Sequence, residues 1–275
     1  MYLNKVEKHR STIILLIILA LIVSLTLLIN PSPQEIYEVN PAQRLLPPSF
    51  SHPFGTDALG RDVFARLIVG TRISLVLSIS SVLLAAIIGS ISGVVAAIHG
   101  SFIKLVLSTV FEYLYIMPSI IIAFLLSIII SPGPHIVIIA STLFLLPLFF
   151  RVSLTAASMI LTQPYIEAAY AIGASTFHIA LNHVLRVYLP VLLVLIIYNI
   201  PQVIFYEVTL SFIGLGIQPP TPSLGVMIVE GVEYIQVAPH ILEVTILLLF
   251  VIVFTLNILS EELEKSLETH SLSYL

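Results

Sequence analysis

The sequence contains no cysteine among its 275 residues. That absence excludes a disulfide framework, a thiolate nucleophile and a cysteine-based metal site. Charge is scarce as well: Asp, Glu, Lys and Arg make up 9% of the chain, against about 25% in soluble domains. Hydrophobic residues make up 58%, and the mean hydropathy is +1.10, which indicates a membrane protein. The net charge of −4 is too small to indicate a nucleic-acid partner or a polybasic lipid-binding surface.

Long intervals without charged residues predict six membrane-spanning helices, since one span needs about 20 mostly apolar residues. The interval 113–150 is too long for one helix, and "SPGP" at 131–134 divides it into two. The first interval is longer than a signal-peptide core and lacks a small-x-small cleavage site after it, so we expect a retained span. The predicted spans lie at 11–34, 73–103, 187–206 and 244–260, with two more between Leu105 and Phe150.

The distribution of Lys and Arg favours an orientation with both termini in the cytoplasm (N-in/C-in). On that topology seven basic residues are cytoplasmic: Lys5, Lys8, Arg10, Lys104, Arg151, Arg186 and Lys265. Four lie on the opposite side: Arg44, Arg61, Arg66 and Arg72. The chain then divides into a tail with the first span (1–34), an external loop with an interfacial helix (35–72) and a transmembrane core (73–275) with a cytoplasmic loop at 151–186.

The external interval contains "HPFGTDALGRDVFARLIVGTRISL". Gly55 and Gly60 bracket a turn, and Thr56 or Asp57 is the predicted cap of the helix that follows. That helix is amphipathic, with apolar residues on one side and charged residues on the other: Val63, Phe64, Leu67 and Ile68 against Arg61, Asp62 and Arg66. We expect it to lie at the membrane interface and to lead into the second span. The alternative is a solvated connector.

The cytoplasmic interval contains "PYIEAAYAIG" at 164–173. Pro164 suits the first turn of a helix and Gly173 suits its end, and a second short helix can follow at 175–186. Ala168 and Ala169 leave a flat helix face, and Glu167 offers a charge to a basic partner. Because four residues suffice to connect the preceding pair of spans, this ordered loop predicts a docking surface. The alternative is a flexible loop.

Acidic residues also occur within or at the ends of apolar stretches: Glu112, Glu207 and Glu243. A charge at mid-bilayer costs about 2.5–3.5 kcal/mol on insertion scales, so each should face the bundle interior, find a partner or lie near the interface. Glu207 precedes the interval 208–236, which glycine and proline break too often for a span. We interpret that interval as a re-entrant segment or external cap over a pathway, and Glu207 as the best interior candidate. Three prolines are expected to kink spans: Pro118, Pro147 and Pro201.

Motifs for catalysis or metal binding are lacking. The sequence contains no His-Glu-x-x-His, Gly-x-Ser-x-Gly or phosphate-binding Gly-x4-Gly-Lys-Ser/Thr motif, so ATP hydrolysis by this chain is not indicated. His178 and His183 are five residues apart, a spacing that does not share one face of an α-helix.

Three motifs together resemble the inner-membrane permease subunits of binding-protein-dependent ABC importers: "GTDALGRDVFARLIVGTRISL", "EAAYAIGAS" and "LSFIGLGIQPPTPSLG". The likeness is greatest to the second-permease type of the dipeptide/oligopeptide/nickel branch and covers residues 50–260. It implies an all-α integral membrane protein with the six-helix type I permease fold, located in the cytoplasmic membrane.

The resemblance also implies roles for particular residues. The coupling helix, which docks in a groove of a cytoplasmic ATPase, corresponds to Glu167, Ala168, Ala169, Gly173 and Ala174. The external motif corresponds to Gly55, Thr56, Asp57, Gly60, Arg61 and Asp62. Pathway and cap candidates are Glu207, Phe212, Gly214, Gly216, Pro219 and Pro220.

Two departures from the family pattern stand out. Arg186 occupies the place of a proline, with Leu189-Pro190 following later, so the second cytoplasmic helix is expected to run further. The acidic "SEELEKSLETH" stands where the family tends to have a Gly-Asp-rich ending with a basic residue.

The implied function is passage of solute through a pathway formed with a homologous permease. Two cytoplasmic ABC ATPases would hold ATP and Mg²⁺, an external solute-binding protein would deliver cargo, and this chain would need no cofactor, metal or catalytic residue. Peptides are the implied substrates, with oligosaccharides or nickel as alternatives. Two hypotheses of other classes are an intramembrane enzyme that uses the buried acids and a scaffold subunit without a pathway.

Overall fold

The computed structural model describes residues 16–271, and within that range it is helical and contains no β-sheet. Its helices are α1 (Leu16–Leu28 as described), α2 (Pro33–Tyr37), α3 (Val63–His99), α4 (Ser101–Ile116), α5 (Ser119–Ile129), α6 (Pro134–Leu161), α7 (Pro164–Ala171), α8 (Thr176–Ile179), α9 (Arg186–Phe212), α10 (Leu224–Glu233) and α11 (Pro239–Ser271). A 3₁₀ turn occupies Pro41–Gln43, and a π-helical turn, Ala180–Leu185, joins α8 to α9. The predicted cytoplasmic residues Lys5, Lys8 and Arg10 lie outside the described residues.

Four helices in the described range are long and apolar enough to cross a membrane: α3, α6, the run from α8 through α9, and α11. A fifth span is formed if α4 and α5 are counted together, although they meet at an angle of 94°. The span predicted to begin near Leu105 is therefore broken at Pro118, one of the three prolines expected to kink a span. The break lies at Pro118, whose ring disfavours helical backbone at Met117, and Met117 is extended (ψ 126°).

Helix α3 combines the predicted interfacial helix and the second span in one element of 37 residues. Its cap is Asp62, whose carboxylate accepts a hydrogen bond from the Ala65 N–H at 2.8 Å. The prediction that Thr56 or Asp57 caps this helix is therefore wrong. The predicted amphipathic division is wrong as well, because Arg66, on the charged side, is fully buried and pairs with acidic residues described below.

The contact between α3 and α6 is the most extensive between helices in the described residues. On α3, small residues recur every four positions: Ser81, Ala85, Gly89 and Gly93. A Cβ atom on Gly89 would lie 2.7 Å from the Phe149 Cβ, and one on Gly93 would lie 1.9 Å from the Ser153 Oγ. The Ser153 hydroxyl in turn donates a hydrogen bond to the Gly89 carbonyl at 3.3 Å. Small residues allow this close backbone approach, which stabilises helix pairs in lipid.

The helix after the α7 turn runs without a break from Thr176 to Phe212. Arg186, which stands where the family has a proline, is helical (φ −61°, ψ −39°). The helix therefore continues through this position, as predicted. The π turn also changes the relation of two histidines. His178 and His183 come together with ring centroids 5.9 Å apart, because a π-helix places residues i and i+5 on one face. In the described part of the chain, no three His, Cys, Asp or Glu side chains form a metal site.

Helix α1 is fastened to α3 by Arg72. The guanidinium of Arg72 donates to the carbonyls of Thr26 (2.7 Å) and Ile29 (2.8 Å) and to the Asn30 Oδ1 (3.1 Å). These acceptors lie at the carboxyl end of α1, where a cation is favourable and backbone carbonyls lack helical partners. The described part of α1 is therefore fixed against the beginning of α3.

The tight α3–α6 contact predicts that Gly93→Val strongly destabilises the protein, because the added side chain would collide with the Ser153 Oγ and the Phe150 carbonyl. Overpacking of this kind costs about 1–3 kcal/mol or more. We expect a thermal midpoint several degrees lower in detergent. Ser92→Val, on the neighbouring and partly exposed position, is the control and should change the midpoint little. Equal midpoints for the two variants would contradict the close packing.

Candidate functional site

Helix α3 separates two candidate regions. The external motif precedes its first turn, while Val94 and Ala97, near its last turn, pack beside the α7 loop. Arg66 and Ala97 are 31 residues apart on this helix, which corresponds to roughly 46 Å. The two regions therefore lie at opposite ends of the bundle.

Helix α7 ends in a glycine-based cap that the sequence predicted. Gly173 has φ +92° and follows the last helical turn. Its N–H donates to the Tyr170 carbonyl at 3.0 Å, and the N–H of Ala174 donates to the Ala169 carbonyl at 3.0 Å. This pair of bonds is the Schellman motif, in which a left-handed residue closes the helix. Ser175 then caps α8 by accepting a hydrogen bond from the His178 N–H.

One side of α7 is anchored and the other is open. Ile166 is fully buried in a cluster with residues of α6, α8 and the π turn: Ala157, Ile160, Ile179 and Val184. Ala169 and Ala174 pack against this cluster, whereas Glu167 and Ala168 are exposed. The exposed side carries larger apolar groups that sequence analysis did not single out: Tyr165 (48% exposed), Tyr170 (42%), Ile172 (89%) and Phe177 (73%). Exposed apolar side chains in a polar loop are typical of a binding surface.

The external motif takes part in a cluster of four charges, of which Asp57, Arg61 and Arg66 are buried and Glu230 is partly exposed. The carboxylate of Asp57 accepts from the Arg61 Nε at 2.7 Å and from the Arg66 Nη1 at 2.5 Å. Glu230, on α10, accepts from the Arg66 Nη1 at 2.5 Å and the Arg66 Nη2 at 3.1 Å. Two acids thus neutralise two arginines that are at most 4% exposed. The cluster joins the loop, the first turn of α3 and α10, because breaking a buried pair is costly.

The glycines of the motif permit tight backbone contacts. Gly55 and Gly60 have φ of +74° and +77°, a region that favours glycine. A Cβ on Gly60 would lie 2.0 Å from the Asn40 carbonyl oxygen. The Thr56 hydroxyl donates to the carbonyl of Gln43 and accepts a hydrogen bond from the Leu46 N–H. Asp62 adds a contact with the His52 Nδ1 at 2.7 Å. The predicted motif residues are therefore brought together, and Asp62 replaces Thr56 and Asp57 as the helix cap.

Glu207 lies at the centre of a second polar cluster and is fully buried. Its carboxylate accepts hydrogen bonds from the hydroxyls of Ser74 (3.1 Å), Ser211 (2.9 Å) and Ser223 (2.8 Å). The N–H of Gly225, in the first turn of α10, also donates to it. Four donors and a helix N-terminus satisfy the carboxylate without a counter-ion. Glu207 does not line an open surface of this chain.

The serines of this cluster extend it into the backbone of α10. The Ser74 hydroxyl accepts from the Leu224 N–H at 3.1 Å, and the Ser223 hydroxyl accepts from the Val226 N–H at 3.1 Å. The cluster thereby holds the start of α10 against α3 and α9. The four-charge cluster holds the same helix farther along, at Glu230.

The remaining cap candidates are dispersed between α9 and α10. Phe212 is 61% exposed and Gly214 is exposed with φ +77°. Gly216 is buried against Ser211, whereas Pro219 and Pro220 are exposed. The other acids, Glu112 and Glu243, are exposed in the isolated chain.

Comparison with known proteins places these features in a family. Residues 85–268 match the family described as "Binding-protein-dependent transport system inner membrane component". The glutathione transport system permease protein GsiD of Pectobacterium atrosepticum is 33% identical over 222 residues, which is 80% of this chain and 73% of the relative. GsiD of Shigella dysenteriae is likewise 33% identical over 221 residues, again 80% and 73%.

The chain belongs to this permease family. It is an inner-membrane, multi-pass permease subunit of an ABC importer, and a transport component rather than an enzyme. Such a permease works with ATPase subunits, a second permease and a binding protein.

Solved structures agree with the permease fold. A chain of the inward-facing MetNI methionine ABC transporter aligns with TM-score 0.57 at 20% identity, covering 73% of this chain and 95% of that one. A second inward-facing MetNI structure gives TM-score 0.54 at 22% identity, covering 72% and 96%. At these identities the likeness shows the fold alone.

The described part of the permease also contains partners that sequence analysis did not assign. Ser74, Ser211 and Ser223 surround Glu207, and Glu230 pairs with Arg66 across 164 residues. A weak indication was present for the serines, because polar residues inside apolar segments need partners. Nothing in the local sequence connects Arg66 with Glu230.

The Glu207 cluster predicts that Glu207→Leu leaves several buried donors without an acceptor. Each such donor costs about 1–3 kcal/mol, so we expect a thermal midpoint roughly 10 °C lower in detergent. Glu207→Gln keeps one acceptor oxygen, so its thermal midpoint should lie between those of the wild type and Glu207→Leu. Glu243→Leu removes an exposed glutamate and serves as control. Unchanged stability of Glu207→Leu would contradict the anchoring role.

Proposed function

We propose that this permease imports short peptides through six transmembrane helices in an N-in/C-in type I arrangement, and that α7 is its ATPase-coupling helix. The observation that carries the coupling role is the geometry of α7: an anchored inner face, a glycine-closed end and an exposed apolar outer face. Two cytoplasmic ATPases, with their ATP and Mg²⁺, would bind this outer face. A homologous permease and an external solute-binding protein complete the proposed assembly.

The order of the helices supports the topology. If α7 is cytoplasmic, the external motif and α10 lie on the opposite side, because they pack at the other end of α3. Helices α3, α4 with α5, α6, α9 and α11 then cross in alternating directions. α1 would be the sixth span if it continues through residues 11–15, which lie outside the described range.

The anchoring of α7 suggests how movement is transmitted. Ile166 packs against Ile160 of α6 and shares a cluster with Val94 of α3. A displacement of α7 by the ATPases would therefore move the α3–α6 pair as a rigid body. ATP binding on one side and binding-protein docking on the other would shift the equilibrium between inward- and outward-facing states.

Peptides are the proposed substrate class because the GsiD relatives are named for glutathione, which is itself a small peptide. Oligosaccharides and nickel are the alternative cargoes, and the binding protein would make the selection. Competition for uptake by unlabelled peptide, oligosaccharide and Ni²⁺ distinguishes the three classes directly.

The coupling role predicts that Gly173→Asp abolishes ATPase activity co-purifying with the permease. A left-handed backbone costs a non-glycine residue about 1–2 kcal/mol, and the new charge would lie on the docking surface. We expect at least a roughly tenfold loss. Gly173→Asn should be milder, because asparagine tolerates this conformation.

The control is Gly100→Asp. Gly100 also has positive φ (+80°) and open space around its Cβ position, and it lies at the α7 end of the bundle but outside α7, between α3 and α4. This variant should keep the ATPase activity. A loss of equal size at both glycines would contradict a specific role for α7.

A further inference from the structure

Two imidazole rings lie side by side where α8 meets the π turn. The ring centroids of His178 and His183 are 5.9 Å apart, and the ring planes meet at 64°. His178 is exposed and His183 is partly exposed, so an ion in solution can reach both rings. The transport function proposed above gives neither histidine a role.

The π turn gives these rings the arrangement that metal-binding histidines have in α-helices. In an α-helix, two histidines four residues apart lie on one face and ligate one zinc ion, as in the His-Glu-x-x-His motif. A π-helix has i→i+5 hydrogen bonds, so a spacing of five residues is the equivalent one. His178 lies in α8, just before the π-helical residues Ala180–Leu185, and His183 lies within them.

The separation of the rings fits one bound ion. Two imidazoles that ligate a tetrahedral zinc ion have ring centroids about 5 Å apart, because each Zn–N distance is about 2.0–2.1 Å. The rings of His178 and His183 are 5.9 Å apart, so they need to approach each other by only about 1 Å. Small rotations of accessible side chains are sufficient for that approach.

Asn182 can orient one of the two ligands. Its amide nitrogen lies 3.1 Å from the Nδ1 of His178 and 3.3 Å from the carbonyl oxygen of that residue. Rotation of the amide by half a turn would place its oxygen beside Nδ1, where it accepts a hydrogen bond from an Nδ1–H. The Nε2 of His178 is then the free ligand. Metal-binding histidines commonly have such a partner for their second ring nitrogen.

The donor set selects the class of ion. Imidazole nitrogen favours Zn²⁺, Cu²⁺ and Ni²⁺, whereas Mg²⁺ and Ca²⁺ prefer oxygen ligands. Within residues 16–271 no third His, Asp or Glu joins the pair, so water completes the coordination, as at open metal sites. The Mg²⁺ that accompanies ATP is therefore not expected to compete for this site.

We propose that His178 and His183 together bind one divalent transition-metal ion, such as Zn²⁺ or Ni²⁺, and that the bound ion inhibits coupling of α7 to the ATPases. The inhibition rests on the proposed coupling function, whereas the site itself does not. The His183 ring also contacts the ring of Tyr165 on α7, with centroids 5.9 Å apart. Drawing His183 toward His178 therefore alters the contact that supports Tyr165, which is 48% exposed on the docking side of α7.

The first test measures binding to the purified full chain, prepared without a polyhistidine tag. Zn²⁺ and Ni²⁺ are titrated calorimetrically in excess Mg²⁺. His178→Gln and His183→Gln should each weaken binding at least roughly tenfold, since even outer-shell partners of a metal are worth about 10–100-fold. The double variant should bind little more weakly than either single variant, because each substitution alone removes the chelate. His135→Gln, which removes an exposed histidine of α6, is the control and should bind as the wild type does.

The binding test has clear contrary results. Thermal midpoints of all variants are measured first, so that a folding defect is recognised. Equal affinities in the wild type and both folded single variants would overturn the site, as would a wild-type chain that binds neither ion. Loss of a separate, independent ion in each single variant would show two isolated histidines and would also overturn the shared site.

The second test measures regulation in the complex with partner permease, ATPases and binding protein. ATPase activity with Zn²⁺ is divided by activity without it, which cancels any change in basal activity. This ratio should fall in the wild type and in His135→Gln and should stay near one in His183→Gln. Equal inhibition of wild type and His183→Gln would place the effect on another subunit and overturn the regulatory role.

The two tests also separate this inference from the coupling proposal. Binding that depends on both histidines, without inhibition, would leave the metal site standing and overturn its regulatory role. Failure of the coupling proposal is detected independently, as ATPase activity that Gly173→Asp leaves intact. Histidine-dependent binding together with histidine-dependent inhibition supports both parts.

Discussion

The glycine-lined contact between α3 and α6 is the constraint on which the described structure depends. It brings two long helices so close that Gly89 and Gly93 have no room for a side chain. Three other regions are then attached to α3: α1 through Arg72, α10 through Ser74 and Arg66, and the α7 loop through the last turns of α3. A movement at one end of this pair therefore reaches the other end.

Two clusters of buried polar groups hold helices of the bundle together. Glu207 is satisfied by hydroxyls and an N–H, and the Asp57 cluster by its own arginines. Both clusters hold α10 in place, because separating their members would leave charges without partners. Glu112 and Arg151 differ, since both are exposed in the isolated chain.

Much of the fold was predictable because membrane-spanning helices are recognisable as long stretches of high hydropathy. Four of the long spans, the short α7 helix and its glycine end all follow from local patterns, and the described residues contain each of these. The resemblance to ABC importer permeases, based on three motifs, is confirmed by the family match. The residues within each of these segments were sufficient to predict its structure.

Other features depend on contacts that no local pattern encodes. The break before α5 follows from Pro118, but the local sequence does not give the angle of 94° between α4 and α5. The π turn brings His178 to His183, contrary to α-helical spacing. The charged side of 61–72 is buried, because its partner Glu230 comes from a distant helix. Arg151 was assigned to a loop since charge was taken as a boundary, whereas α6 continues for ten residues beyond it.

Crosslinking from α7 tests the central claim most directly. Ala168→Cys, exposed on α7 in a chain without other cysteines, is labelled with a thiol-linked photocrosslinker in the assembled complex. Phe50→Cys, fully exposed at the opposite end, is the control. The account predicts an adduct with the ATPase from Ala168→Cys and none from Phe50→Cys. An active complex in which Ala168→Cys yields no ATPase adduct, while Phe50→Cys does, would contradict it.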